Sequence, residues 1–435
     1  MLSERIADRR QIDRRLLSLA WPALGALAVE PLYVAVDTAI IGRVGTDELA
    51  GLAGAATVLA VVVAGSNFLA YGTTERVAHA VGAGRIDRAR ALGTQALWAA
   101  FVLAAAIVPA LVILAPRIVG AIGLELLAAD HAVRYLRIAA LGVPAILIAI
   151  AAQGILRGVG DYRRPLWVLG AGNLLNVVIE LPLVFIYDLS VTGSALSTVI
   201  SQWAVAFAFI PILSKHISRP GQRRPDRDAM TDLLGIGAHL ALRVGSMMVV
   251  LTGASVLAAR SGVSDLAGHQ IVAGVFMLVA LTLDALAVPA HTLIGQSLGS
   301  GDRTAARQIA SRVMVLSSVA GVLLGVCIVA LASPIARVFT TDPAVRSSAV
   351  SGLVVLGVLL LPGAIAFAGD GILIGAGDHR FLGIASLVQT ALIVPMVLIP
   401  TVRDGPGVAL VWTLLAAWML MRAVTVATRS VLVLR

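Results

Sequence analysis

Three acidic residues stand inside long apolar runs of this sequence: Glu30, Asp37 and Glu180. A charge at mid-bilayer depth costs roughly 2.5–3.5 kcal/mol, so three cost about 8–10 kcal/mol, comparable to the whole stability of a typical domain. Residues that costly pair with one another, line water or hold a proton. Glu30 and Asp37 are seven residues apart, two turns along one helical face, and Tyr33 joins that face one turn before Asp37. Asn173, Asn176 and Glu180 follow an i, i+3, i+7 spacing on one face of a second helix, and Thr198 offers a hydroxyl further on. Carboxyls grouped with neutral amide and hydroxyl oxygens can take up a proton, or hold Na⁺ as a hard cation with oxygen ligands. Asp37, Glu180 and Asn176 are the leading candidates for such a site on their spacing, with Glu30 and Thr198 weighed evenly between a site role and a structural one. Glu30, Tyr33 and Asn173 are candidates for lining a substrate cavity.

The elements that must position these groups follow from composition. Of 435 residues, 59% are apolar and 13% charged, and the mean hydropathy is +0.95. So few charges cannot cover an aqueous surface on a chain of this length, which excludes a soluble enzyme and disorder alike. Lipid is the remaining solvent. Breaking the chain at polar and Gly/Pro-rich points leaves twelve apolar segments of spanning length. They cover 16–41, 49–80, 91–115, 129–156, 165–187, 192–213, 233–259, 266–298, 305–332, 344–374, 381–402 and 408–426. The runs are too long and too uniformly apolar for a β-barrel. The expected class is an all-α polytopic membrane protein. Its single cysteine, Cys327, leaves no intrachain disulfide.

The formal charge of +9 is a topology signal rather than a nucleic-acid footprint. Counting both termini and every second loop as one side places 23 basic residues there, Arg422, Arg429 and Arg435 at the C-terminal end among them. The other loops hold six: Arg43, Arg117, Arg260, Arg337, Arg346 and Arg403. This bias puts both termini in the cytoplasm, at a bacterial inner membrane, and requires an even number of spans. The first apolar run is read as an uncleaved span.

Three segments recur at one offset of 217 residues. Gln153-Gly-Ile-Leu-Arg-Gly-Val-Gly-Asp-Tyr-Arg163 matches Asp370-Gly-Ile-Leu-Ile-Gly-Ala-Gly-Asp-His-Arg380 at seven of eleven positions. Gly82-Ala-Gly84 matches Gly299-Ser-Gly301, and Leu49-Ala-Gly51 matches Leu266-Ala-Gly268. The chain is read as two homologous six-helix lobes, 1–214 and 231–435, joined by a basic cytoplasmic linker, 215–230, that contains Pro220 and Pro225. Six spans per lobe make the repeat parallel, with a cleft expected between lobes that rock to alternate access. The repeat also supplies an internal control: the counterparts of Asp37, Asn176 and Glu180 are Ala254, Ile393 and Val397. The second lobe has its own polar set in Arg243, Asp284 and Asp370, further cavity candidates. Its His239, His269 and His291 are read as packed interior residues, and Arg243 as a possible neutraliser of one acid.

No zinc-protease, serine-hydrolase or P-loop signature occurs, so neither an enzyme nor an ATP-driven pump is expected. No cofactor or resident metal is called for, only a coupling ion, H⁺ or Na⁺. The partners expected are a small amphipathic or cationic substrate and the bilayer, with no nucleic acid, for a chain acting as a monomer. One rival is a flippase for lipid-linked precursors or polysaccharides, which should line its cleft with cations. An intramembrane enzyme or passive scaffold is the other.

At this point the chain resembles the multidrug and toxic compound extrusion (MATE) family. The resemblance rests on Val36-Asp-Thr-Ala-Ile-Ile-Gly42, Gly72-Thr-Thr74, Gly82-Ala-Gly84, Leu156-Arg-Gly158, Gly172-Asn-Leu-Leu-Asn176, Gly193-Ser-Ala-Leu-Ser-Thr198 and Asp370-Gly-Ile-Leu-Ile-Gly-Ala-Gly377, in this order. Leu242-Arg243 and Leu283-Asp284 resemble the branch named for DNA-damage-inducible protein F. The resemblance implies secondary active efflux of organic cations in exchange for H⁺ or Na⁺. It implies an ion site at Asp37, Asn176, Glu180 and Thr198, and a first helix that bends at Pro22. Members that bind Na⁺ in the second lobe carry acids in the seventh helix; here its interior has none.

Overall fold

The computed structural model describes residues 2–219, 224–398 and 407–435. Pro220 of the linker, Arg403 and the end of the eleventh expected span lie outside them. Among the described residues, twelve helical segments are long and apolar enough to cross a membrane. The helices are α1 (Leu2–Ile41), α2 (Thr46–Ser66), α3 (Phe68–Gly82), α4 (Ile86–Ile122), α5 (Leu126–Ala139), α6 (Val143–Gly158), α7 (Arg163–Phe185) and α8 (Ser190–Leu213). They continue with α9 (Arg227–Arg260), α10 (Val263–Gly299), α11 (Arg303–Phe339), α12 (Pro343–Gly375), α13 (His379–Ile393) and α14 (Gly407–Val433).

Two expected spans are interrupted. The second divides into α2 and α3 at Asn67, where Ser66 Oγ turns back onto the Val62 carbonyl at 2.7 Å and competes with the helical ladder. The fourth divides into α5 and α6 through a 3₁₀ turn, Ala140–Gly142, ahead of Pro144 in the first turn of α6. Their repeat counterparts, α10 and α12, run unbroken. Thr282-Leu-Asp284 replaces Gly65-Ser-Asn67, and Leu359 replaces Gly142. Helix α1 is continuous through Pro22 and Pro31.

The turns that follow the repeated motifs are built alike. Gly84 and its counterpart Gly301 have φ of +70° and +80°; Gly160 and Gly377 have +86° and +78°. Glycine adopts this left-handed conformation with no Cβ penalty, which favours it in both motifs. The motifs are helix stops.

Two compact units emerge. One is Gly25–Gly237; the other combines the residues up to Leu24 with Ala238–Arg435. In the first, α2 packs on α5, α3 and α4 on α6, and α7 on α8. In the second, α12 is central and packs against α10, α11 and α14. The base of α1 belongs to the second unit, where Leu16 is buried with Ala290, Leu293 and Ile309. The base of α9 belongs to the first: Asp232 pairs with Arg76 at 2.9 Å, and a side chain added at Gly237 would strike the Phe68 ring.

Candidate functional site

Within the Gly25–Gly237 unit, helices α1, α5, α7 and α8 bring their polar side chains into one buried nest. Asp37 is 5% exposed and Glu180 is fully buried. The two carboxyls lie side by side, with Ser194 beside both. Ser194 Oγ donates to Asp37 Oδ1 at 2.5 Å. Asn176 Nδ2 donates to Ser197 Oγ at 3.2 Å and to Thr198 Oγ1 at 3.4 Å. Tyr33 and Thr198 share a hydroxyl–hydroxyl bond of 2.7 Å. Tyr135, buried on α5, stands beside Ser194, Thr198 and both acids.

The local sequence explains why these groups converge. On α8, Ser194, Ser197, Thr198 and Ser201 recur every three to four residues and form one polar stripe. Gly193 lets α8 approach α7 closely, since a Cβ there would sit 3.0 Å from the Leu183 carbonyl. Gly172 does the same one face along, against Val205. Small residues at such crossings are how membrane helices bring polar side chains within reach of one another.

Glu180 Oε1 and Oε2 and Asn176 Oδ1 are buried with no hydrogen-bond partner among the described residues. No Arg, Lys or His pairs with either carboxyl among those residues. Buried polar oxygens without partners are rare in folded proteins because each forfeits its hydration. The nest thus holds two adjacent carboxyls with no basic partner among the described residues; the unpartnered oxygens are those of Glu180 and the amide oxygen of Asn176, while Asp37 accepts from Ser194.

Of the expected site residues, Asp37, Asn176, Glu180 and Thr198 meet in this nest together with Tyr33. Asn173 reaches away from it and donates to the Val29 carbonyl at 2.9 Å. Glu30 is exposed, two turns back along α1. Tyr135, Ser194 and Ser197 carry no charge and were not among the expected site residues; Ser194 and Ser197 stand in the Gly193–Thr198 motif and recur at i, i+3 on α8, whereas Tyr135 on α5 has no such signal.

The second-half polar set is a separate cluster. Asp370 Oδ2 accepts from Arg422 Nη2 at 2.6 Å and also from Arg243. Arg422 is 2% exposed and its guanidinium stacks on the Trp418 ring, 4.9 Å from the centroid. Arg422 is thus a buried partner of Asp370 inside α14 and leaves the tally of cytoplasmic charges. Arg243 does neutralise an acid, and that acid is Asp370. Asp284 is half-buried on α10. His269 is packed, with Ser255 Oγ at 3.1 Å and the Trp412 ring at 5.8 Å.

A duplicated twelve-helix membrane chain with a buried carboxyl nest in one half is the architecture of a secondary transporter. The family model MatE matches twice, over residues 22–181 and 240–399, and the chain belongs to that family, whose members are ion-coupled transporters rather than enzymes. It is 30% identical to Protein DETOXIFICATION 44, chloroplastic, of Arabidopsis thaliana, over 96% of this chain and 82% of that protein. It is 32% identical to DNA damage-inducible protein F of Escherichia coli, over 75% and 74%. It is 26% identical to Probable multidrug resistance protein NorM of Thermotoga maritima, over 85% and 81%. The fold matches that of the Vibrio cholerae MATE transporter VcmN in its bent form, with a TM-score of 0.91 at 19% identity, covering 99% of this chain and 98% of that one.

Proposed function

We propose that this chain exports amphipathic or cationic small molecules in exchange for H⁺, with Na⁺ as the alternative ion. The coupling ion binds in the nest of Asp37, Asn176, Glu180 and Thr198. One observation carries this reading: among the described residues, three buried oxygens, two from Glu180 and one from Asn176, lack hydrogen-bond partners beside a second carboxyl that has no basic partner. A proton or Na⁺ removes the mutual repulsion of the two acids and satisfies the orphaned oxygens. Substrate leaves by alternating access of the lobes 1–214 and 231–435 about the linker 215–230, and α1 bends at Pro22 as the nest changes charge. The NorM relative supports a drug-like substrate. Arginine bias supports a bacterial inner membrane with both termini cytoplasmic, and the chain works as a monomer.

The flippase reading fares worse on this structure. It needs free cations to hold a pyrophosphate, and Arg243 and Arg422 both spend donors on Asp370.

The test is accumulation of an organic-cation dye in inside-out vesicles, with a pH gradient and a Na⁺ gradient imposed separately. A pH gradient is expected to drive uptake, and Asp37→Asn or Glu180→Gln to abolish it at unchanged protein level. Normal gradient-driven uptake by Asp37→Asn would overturn the assignment.

A further inference from the structure

The second half contains a pocket at the repeat position of the carboxyl nest. Six of the side chains that line it are the counterparts, 217 residues on, of six nest residues. Val250 stands for Tyr33, Ala254 for Asp37 and Ile393 for Asn176. Val411 stands for Ser194, Leu414 for Ser197 and Leu415 for Thr198. Duplication gave both halves the same helix crossings, and each of these six polar side chains is hydrocarbon in the second copy.

The aromatic residue has moved as well. Tyr135 corresponds to Gly352, and its neighbour across the crossing, Ala195, corresponds to Trp412. A Cβ added at Gly352 would lie 2.6 Å from Val408 Cγ1, 2.9 Å from Val272 Cγ2 and 3.3 Å from Trp412 Cδ1, so larger apolar groups crowd the position where Tyr135 stands in the first half. The crossing has been repacked around large groups, and the pocket persists.

Its volume is about 30 Å³, where a water molecule needs roughly 10–15 Å³ and two to four polar partners. Space is available, but none of the lining side chains carries a polar atom. Val250, Ala254, Leu257, Val411 and Leu415 form a buried floor, whereas Val249 and Val394 at the rim are exposed. An open apolar pocket of this kind holds water poorly and hydrocarbon well. None of the side chains that line it could bind an ion.

We propose that this pocket takes the apolar end of the amphipathic compound that the transporter carries. The first half keeps the charge-handling site; the second half, freed of that duty, recognises hydrocarbon. This rests on the export reading above.

The experiment titrates n-alkyltrimethylammonium ions, ethyl through hexyl, into the full-length chain in nanodiscs by calorimetry. Each added methylene is expected to tighten binding about threefold to fourfold until the pocket is full. Gly253→Leu is expected to flatten that dependence, because a side chain at Gly253 meets nothing within 4 Å and projects into the space. Ala254→Leu, from the floor, is expected to do the same, so one poorly folding variant does not decide the matter. Xenon, a neutral probe, separates the two readings by ¹²⁹Xe magnetic resonance. Xenon bound by the parent and lost in Gly253→Leu, with no alkylammonium bound, sustains the pocket and sinks the export reading. Unchanged chain-length dependence in both filled variants, or no xenon bound by the parent, overturns the pocket.

Discussion

Gln95 and Arg312 occupy the same position in two copies of one helix, and each holds down the start of a half's first helix. Gln95 on α4 donates to the Arg224 carbonyl and accepts from the Asp226 amide, both at 2.9 Å, just ahead of α9. Arg312 on α11 grips the Asp13 carboxylate near the base of α1 with two bonds of 2.8 and 2.6 Å. The two clamps differ in chemistry and agree in place.

The Arg312 clamp makes the first prediction. Its two bonds are charge-assisted and bidentate, which strengthens them, yet both side chains remain about a fifth exposed, which screens them. Arg312→Ala is expected to cost about 1 kcal/mol, within the range of partly exposed ion pairs. A double-mutant cycle with Asp13→Asn, read from thermal midpoints in detergent, should recover most of that as coupling between the two. Additive losses would mean that the base of α1 is held by its apolar contacts alone.

The spans were legible because apolar length and the bias of arginine are written residue by residue. The breaks at Asn67 and Ala140–Gly142 were not, because the apolar runs continue through them. The same contrast holds at the site. Asp37 and Glu180 announce themselves through the cost of a carboxyl in lipid. Tyr135, Ser194 and Ser197 cost little there, so only the helix crossings reveal them. Arg422 was misread for a related reason: near a chain end, an arginine facing water and one facing Asp370 look identical in sequence.

Backbone conformation separates two kinds of glycine, and substitution should separate them too. Gly377 has φ of +78° in the turn after α12. Gly377→Ala is expected to cost roughly 1–2 kcal/mol, the penalty for an L-residue in the left-handed region, and Gly377→Asn less. Gly274 lies inside α10 with nothing within 4 Å of an added Cβ. Gly274→Ala is expected to stabilise by about 0.5–1 kcal/mol, through backbone entropy alone. Thermal midpoints moving the same way for both would contradict this.

His216 sets a pH dependence outside the membrane. Burial lowers its pKa from the ordinary value, and Arg164, Arg90 and Lys215 push it further down against the opposing pull of Asp161. The folded chain therefore binds fewer protons at His216 than the unfolded chain does. Stability contributed at this position is intact above the unfolded value of about 6.5 and declines as pH falls through it toward the folded value. Between pH 7.5 and 5.5 the midpoint of the parent chain is expected to drop by more than that of His216→Gln. Parallel curves would show that the ring is not held neutral in the fold.

Asp370 carries the sharpest structural prediction. Its carboxylate is shared by Arg422 and Arg243, and all three lie largely out of solvent. Removing one partner of a buried pair leaves an uncompensated charge, at a cost of about 3–5 kcal/mol. Asp370→Asn would strip the buried Arg422 guanidinium of its carboxylate, so loss of folded protein from the membrane fraction is expected, rather than loss of transport alone. Arg422→Met added to Asp370→Asn removes the more deeply buried charge and should restore much of the folded yield. Such rescue, measured by monodisperse elution in size-exclusion chromatography, would identify the cluster as an internal strut of the second half. Asp370→Asn protein that folds normally but no longer transports would instead place Asp370 in the path of substrate or ion.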